Sequence, residues 1–163
     1  AWPDPTGRDE TKRRTTEAVT RAIGEYWPPD ARKEPFLQSL ARWNAMVPQG
    51  YMTGFMDLLF RHHGRYFILD WKSNHCDKKF TPADLDAEMA RHAYFIQYLI
   101  YTVAAHRHLV ETLGGAYNYE SHFGGVFYVF LRGVRRGTGE GIYFDRPVEG
   151  LVNALSRILG DFT

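Results

Sequence analysis

The chain has 163 residues, 44% of them hydrophobic and 15% aromatic, which suffices for one globular domain with a core and excludes a disordered chain. Its formal net charge of +1 excludes the strong basic field of a bulk nucleic-acid binder, and its single cysteine excludes an internal disulfide or a four-cysteine metal site. No apolar run reaches the roughly 20 residues that span a bilayer, so we expect a protein without membrane contact from a reducing compartment.

Residues 1–50 are predicted to form a helical lead-in, and residues 51–163 the functional core. Apolar residues recur every three or four positions over Thr11–Tyr26 and again over Phe36–Met46, which predicts two helices. The first is expected to end at Pro28, because proline disrupts a helix. The lead-in contains no cluster of catalytic residue types, and we expect it to contribute packing.

A β-hairpin is predicted next, from two apolar runs, Gly54–Arg61 and Arg65–Lys72, on either side of a short turn centred on His63-Gly64. Residues equidistant from that turn face each other, so Asp57 is expected to oppose Asp70. Facing carboxylates repel, and burying them unpaired costs several kcal/mol. A divalent cation between them removes that objection.

The hairpin carries the side chains of a candidate metal-dependent site. Asp70 and Lys72 are two residues apart, so they project from the same face of a strand. Two carboxylates and an ammonium on adjoining strands are the components of a site that cleaves phosphodiesters with Mg²⁺, which accepts one or two carboxylates and keeps several waters. The alternative is that Asp57 is an exposed strand acid and that Asp70 and Lys72 form a surface ion pair. Both faces of the hairpin are otherwise largely apolar, which predicts a sheet covered on two sides.

A long helix is predicted over residues 82–113, with Thr81 as its N-cap and glycines at its end. Tyr94, Gln97 and Tyr101 are three and four residues apart and therefore stack along one side of it. Three further elements complete the chain, namely a strand over His122–Arg132, a short edge strand over Ile142–Phe144 and an amphipathic helix over Pro147–Leu159. The order hairpin, helix, strand, helix predicts an α/β fold with a mixed β-sheet flanked by helices.

The segments Gly54–Asp57 and Leu69–Asn74, followed by Gln97 and Tyr101 on the next helix, resemble the PD-(D/E)xK nuclease motifs. They are most similar to the C-terminal nuclease domains of RecB-type subunits of bacterial exodeoxyribonuclease V. The similarity extends further along the chain, through His92–Leu109, His122–Val134 and Gly141–Leu151. The resemblance implies a restriction-endonuclease-like core and Mg²⁺-dependent DNA hydrolysis in double-strand-break repair and recombination, with Ca²⁺ as a non-productive substitute. It also implies DNA, RecC-like and RecD-like subunits and RecA as partners, and the bacterial cytoplasm as the location.

The resemblance assigns roles to four residues of the hairpin. Asp57 and Asp70 would be metal ligands, together with the backbone carbonyl of Trp71. Lys72 would be the catalytic lysine. An ammonium beside a metal suits that role, because it can orient the attacking water and stabilise charge that develops on the phosphate.

Residues outside the hairpin have supporting roles by the same resemblance. Gln97 and Tyr101 match the family's helix motif, which supports the active site and the substrate strand. Tyr94, on the same side of the helix, and Arg132 are further candidates for substrate contact. Arg132 equally fits a plain surface charge.

The sequence departs from the family at its front end. The family has an upstream helical histidine that completes the metal shell, whereas residues 1–50 contain no histidine. We therefore expect a fragment of a longer subunit. Two functions stay open: a nuclease domain of a RecBCD-type helicase–nuclease, or a catalytically incomplete nuclease-like module that serves as a DNA-binding or protein-docking surface.

Overall fold

The structure is a computed structural model that describes residues 8–27, 34, 36–37, 40, 54–74 and 80–160. The elements follow the order helix, strand pair, helical segment, strand pair and helix along the chain. They are α1 (Arg8–Tyr26), β1 (Leu58–His62), β2 (Arg65–Lys72), α2 (Pro82–Arg91), α3 (Tyr94–Leu113), a 3₁₀ turn (Gly114–Ala116), α4 (Tyr119–His122), β3 (Phe123–Phe130), β4 (Ile142–Asp145) and α5 (Glu149–Gly160). Within the described ranges, no helix combines the length and the apolar character that crossing a membrane requires.

The four strands form one mixed sheet in the order β1-β2-β3-β4. The β1–β2 and β3–β4 pairs are antiparallel, and the central β2–β3 pair is parallel. A parallel pair needs a long crossover, which the segment from α2 to α4 supplies. The predicted α/β fold, with a mixed sheet flanked by helices, is confirmed. The first and last helices and the third and fourth strands occur where they were predicted, with ends that differ by at most three residues.

The hairpin has the predicted register, with Leu58 paired to Leu69. Its turn residues, His63 and Gly64, both have positive φ, 47° and 82°, because a tight turn between twisted strands needs the left-handed region. The predicted start of the first strand at Gly54 is wrong, since β1 begins only at Leu58.

Side-chain hydrogen bonds replace the strand ladder before β1. The hydroxyl of Tyr101 donates to the carbonyl of Phe55 over 2.6 Å, and the carboxylate of Asp57 accepts the N–H of Trp71 over 2.8 Å. Asp57 therefore lies in a bend and reaches β2 with its side chain, which corrects its prediction as a backbone-paired strand residue opposite Asp70. The two acids still interact, because the charge of Asp57 contributes to raising the pKa of Asp70.

The predicted helix over residues 82–113 is broken in two, with α2 ending at Arg91 and α3 beginning at Tyr94. Ala93, between them, has a left-handed φ of 56°, a conformation that costs a non-glycine residue roughly 1–2 kcal/mol. Side chains beside the break contact one buried carboxylate. The buried carboxylate of Glu88 accepts from Arg91 over 2.5 Å and lies 3.3 Å from the ring nitrogen of His92.

The core lies between one face of the sheet and the helices α1, α3 and α5. The inward side chains of β3, Val126, Tyr128 and Phe130, are fully buried. Trp27, at the end of α1, stacks on Phe36 at 4.8 Å. Phe36, Leu37 and Leu40 are helical, and the rest of the predicted Phe36–Met46 helix falls outside the described residues.

The other face of the sheet differs from its prediction. Its apolar side chains Leu58, Trp71, Ile142 and Phe144 remain 38–48% exposed, so the helices in the described part of the chain do not cover it. The expected two-sided cover is therefore wrong for those residues. Apolar residues on both faces predicted cover on both sides, but the sequence does not show what packs on each face. The buried face is the one that carries Asp70 and Lys72.

Candidate active site

The ammonium of Lys72 is the centre of a buried polar cluster. Nζ lies 2.5 Å from Oδ1 of Asp70 and donates to Oε1 of Gln97 over 2.8 Å. It also lies 4.0 Å from the ring centroid of Tyr94 and 4.9 Å from that of Tyr128, and aromatic faces attract cations. Two of its three N–H donors are thus engaged, and the third has no hydrogen-bond partner among the described residues.

The Asp70–Lys72 ion pair is buried, with side chains only 5% and 9% exposed. Burial raises the pKa of the Asp70 carboxyl, the hydrogen bond and charge of Lys72 lower it, and the charge of Asp57 raises it again. The net direction is upward, so desolvation outweighs the pairing with lysine. The alternative of a surface ion pair is therefore wrong for Asp70 and Lys72, whereas Asp57 is exposed, as that alternative expected. The fold holds two charges where water stabilises them poorly, and a further cation would relieve the repulsion between the acids.

Asp57 and Trp71 meet at the edge of β2 that β1 leaves open. Asp57 accepts the Trp71 N–H, while on the opposite edge the carbonyl of Lys72 accepts the N–H of Leu131 over 2.9 Å. The N–H and C=O of one strand residue point to the same edge, and those of the next residue to the other. The Trp71 carbonyl therefore faces the same edge as the Asp57 carboxylate. Its side chain lies on the outer face of the sheet.

The orientation of the Gln97 amide follows from its partners. Lys72 has no acceptor, so the amide oxygen must face it, and the hydroxyl of Tyr128 donates to the same oxygen over 3.1 Å. The amide nitrogen donates to the hydroxyl of Tyr101 over 3.0 Å, and that hydroxyl donates to Phe55 O. One continuous chain of hydrogen bonds thus connects the segment before Asp57 with the lysine on β2.

Close packing fixes the start of that chain. A Cβ on Gly54 would lie 3.2 Å from Cε1 of Tyr101, closer than side chains ordinarily approach, so the residue before Phe55 sits directly against the ring. Burial raises the pKa of the Tyr101 phenol, with a smaller opposing contribution from its hydrogen bond to Gln97. The hydroxyl therefore stays protonated and remains a donor at neutral pH.

The two candidate substrate contacts lie at the end of β2. Tyr94 covers Lys72 and donates its hydroxyl to Oδ1 of Asn74 over 3.0 Å. Arg132 is exposed, and its Nε donates to the carbonyl of Ser73 over 3.1 Å. Both residues therefore bind the segment that directly follows Lys72.

In the part of the chain that the structure describes, two carboxylates and one carbonyl are available for a metal. Among the described residues, no group of three or more His, Cys, Asp or Glu side chains is arranged to hold an ion. The donor set nevertheless fits Mg²⁺, which binds oxygen, needs only one or two carboxylates and keeps waters in its remaining positions. Asp57, Asp70 and the Trp71 carbonyl are the groups that would hold it. Asp57 is bonded to the residue next to Asp70, so a cation between the two carboxylates would offset both negative charges.

Sequence reasoning missed Tyr128 and Asn74. Tyr128 pairs with Asp70 across the parallel β2–β3 ladder, which places both on the buried face. That register depends on the crossover through the helices, and a sequence does not show it. Asn74 ends the quoted motif segment, and its bond to Tyr94 joins residues 20 positions apart, which the sequence does not reveal.

Comparison with known proteins agrees with this geometry. A sequence profile of the PD-(D/E)XK nuclease superfamily matches residues 1–155. The RecBCD enzyme subunit RecB of Escherichia coli strain K12 is 43% identical over 122 residues, which cover 72% of this chain and 10% of that subunit. The subunit of the same name from Haemophilus influenzae is 41% identical over 113 residues (68% and 9%), and that from Mycolicibacterium smegmatis is 32% identical over 158 residues (86% and 14%).

The chain thus spans about a tenth of the length of these curated relatives. The profile match covers most of the chain, including the strands and helices that carry the Lys72 cluster. The fold described above, a mixed sheet flanked by helices, agrees with the restriction-endonuclease-like core that the motifs implied. On this evidence the chain belongs to the PD-(D/E)XK nuclease superfamily.

Proposed function

We propose that the chain is a divalent-metal-dependent DNA nuclease domain of the exodeoxyribonuclease V type. The observation that carries the proposal is the buried Asp70–Lys72 pair with Asp57 beside it. A protein rarely buries two charged groups together without a use for them, because the desolvation of ions costs several kcal/mol each, and here an exposed third charge, Asp57, lies at the mouth of the pair. Perturbed carboxyls and convergent polar groups are typical of catalytic sites.

The hairpin residues would act on the phosphodiester. Asp57, Asp70 and the Trp71 carbonyl hold the cation, for which we propose Mg²⁺, with Ca²⁺ as a non-productive substitute. When bound, such an ion supplies Lewis acidity and a nucleophile at neutral pH. Lys72 directs its remaining N–H donor at a non-bridging phosphate oxygen or at the attacking water, and so stabilises the charge that develops there.

The helix residues would hold this arrangement. Gln97 keeps the ammonium aimed, and Tyr101 ties the helix to the backbone just before Asp57. Tyr94 and Arg132 position the segment after Lys72, where we propose that the substrate strand runs. In this account the core is residues 51–163, preceded by the lead-in.

The biological setting follows from the relatives, which are named subunits of a RecBCD enzyme. We propose that the chain works in an assembly of that kind in the bacterial cytoplasm, with RecC-like and RecD-like subunits and RecA as partners and with DNA ends as substrate. Double-strand-break repair and recombination would be the processes it serves. The formal net charge of the chain, +1, suits a domain that relies on neighbouring subunits to hold DNA.

A second function is favoured by a specific observation. Only two acidic side chains meet at the site in the described residues, and residues 1–50 contain no histidine. With an incomplete metal shell, the domain would serve as a DNA-binding or protein-docking module. It would then bind Mg²⁺ weakly and cut nothing.

Digestion of end-labelled linear duplex DNA separates the two functions. The wild-type chain is incubated with Mg²⁺, with Ca²⁺ and with EDTA, beside Asp70→Asn and a matched control, Glu111→Gln, which neutralises an exposed carboxylate far along α3. The nuclease proposal expects cleavage by wild type and control with Mg²⁺ only, and none by Asp70→Asn. No cleavage by the wild-type chain, or equal cleavage by Asp70→Asn, rejects it.

A further inference from the structure

A hydroxyl buried in the sheet is directed at the amide that holds Lys72. Tyr128 is fully buried, and its hydroxyl donates to Oε1 of Gln97 over 3.1 Å. A buried hydroxyl is costly unless it is bonded, and the partner that satisfies this one is the amide of the site. The polar group of Tyr128 therefore serves Gln97 rather than the apolar packing of the core.

The sheet places the tyrosine beside the ion pair. Tyr128 is the parallel-strand neighbour of Asp70, and its ring centroid lies 4.9 Å from Nζ of Lys72. The ring of Tyr94 lies 4.0 Å from the same nitrogen and 5.7 Å from the ring of Tyr128. The ammonium thus contacts two aromatic faces as well as two oxygen acceptors, which leaves it little freedom to move.

The Tyr128 hydroxyl fills the second acceptor site of the Gln97 amide oxygen. An amide oxygen has two acceptor sites, and Tyr128 occupies one of them while Lys72 occupies the other. Burial raises the pKa of the Tyr128 phenol, and the charge of Asp70 raises it further, so the proton stays on the hydroxyl. While the remaining N–H of Lys72 points at a phosphate, the donor of Tyr128 holds the amide oxygen that keeps the ammonium in place.

We propose that Tyr128 is a positioning residue for Lys72, acting through the Gln97 amide and through its own ring. The proposal rests on the nuclease function, in which Lys72 acts on the substrate phosphate. Tyr128 itself lies in the sheet and contacts the lysine and the amide rather than DNA. Its loss should therefore weaken the chemical step and leave substrate binding intact.

Kinetics of the Tyr128→Phe variant test the proposal, because this change removes the hydroxyl and keeps the ring. We expect kcat for Mg²⁺-dependent cleavage of linear DNA by the 163-residue chain to fall about tenfold, the equivalent of one hydrogen bond, with KM unchanged. Tyr119→Phe is the matched control, since that hydroxyl is also buried but donates to the carbonyl of Pro147 over 2.7 Å, in another part of the core. Its kcat should equal that of the wild type.

A double-mutant cycle tests whether the effect passes through the amide. If it does, Gln97→Met/Tyr128→Phe is no slower than Gln97→Met alone, because the hydroxyl has nothing left to position. Full multiplication of the two losses, an unchanged kcat in Tyr128→Phe, or an equal loss in Tyr119→Phe overturns the proposal.

A structural measurement keeps the inference separate from the nuclease function. Absence of cleavage by the wild-type chain rejects the function, but crystal structures of wild type and Tyr128→Phe still test the positioning. In the variant we expect a rotated Gln97 amide and a longer distance from its oxygen to Nζ of Lys72. Superimposable Lys72 and Gln97 side chains in the two structures would overturn it.

Discussion

Replacement of Lys72 by methionine should strongly destabilise the fold, before any question of catalysis arises. The side chains of Lys72 and Asp70 are 9% and 5% exposed and 2.5 Å apart, so solvent screens their attraction little. Removing one partner of a buried ion pair leaves the other charge uncompensated and costs roughly 3–5 kcal/mol. We expect the lower end of that range, because burial already raises the pKa of Asp70 and the carboxyl can take up a proton.

Urea denaturation at neutral pH without metal measures this loss, provided that the slope with denaturant is the same in all variants. Asp70→Asn/Lys72→Met is the informative control, since it removes both charges and should recover most of the stability that the single change loses. A Lys72→Met variant within about 0.5 kcal/mol of wild type, the range of ordinary surface changes, would refute the burial of this pair. Equal losses in the single and double variants would show that packing, rather than charge, causes the effect.

Three further predictions concern the surroundings of the site. Tyr101→Phe should lower the free energy of unfolding by about 1–2 kcal/mol, because it removes the hydrogen bond that the hydroxyl donates to Phe55 O and the one that it accepts from the Gln97 amide. Denaturation at constant pH measures this loss. Thr81→Ala removes the N-cap of α2, a capping box with Asp84, and should cost about 1 kcal/mol in the same assay; an unchanged midpoint would contradict the cap. Burial lowers the pKa of His106 in the folded protein. The stability contributed by its neutral ring is therefore fully present above the unfolded-state pKa of about 6.5 and is lost as the pH falls through the lower folded-state pKa. His106→Gln should flatten that decline in denaturation curves recorded from neutral to mildly acidic pH, and an equally steep decline in the variant would contradict it.

The local part of the site was predictable from the sequence. A tight turn fixes the register of its two strands, so His63-Gly64 and the apolar runs were enough to align the hairpin. The period of two along a strand placed Asp70 and Lys72 on one face, and helical spacing placed Gln97 and Tyr101 on one side. Each of these relations depends on residues close together in the chain.

The relations between distant segments were not predictable. Tyr128 meets Asp70 through a parallel register that the crossover sets, and β1 starts late because Tyr101 binds the backbone before Asp57. No glycine or proline marks the break at Ala93 in the sequence. The side chains of Arg91 and His92 contact Glu88 there. These features come from tertiary packing, which overrides local propensity.

Digestion of linear duplex DNA by the wild-type chain and by Lys72→Met, each with Mg²⁺ and with EDTA, tests whether the Lys72 ammonium takes part in metal-dependent cleavage. The assay is run where denaturation shows both proteins to be folded. Wild type should degrade the DNA only with Mg²⁺, and the variant at least about 100-fold more slowly, as the loss of one preorganised charge-stabilising group in an active site predicts. Cleavage that survives in Lys72→Met at the wild-type rate would contradict the claim that the ammonium held by Asp70 and Gln97 acts on the phosphodiester.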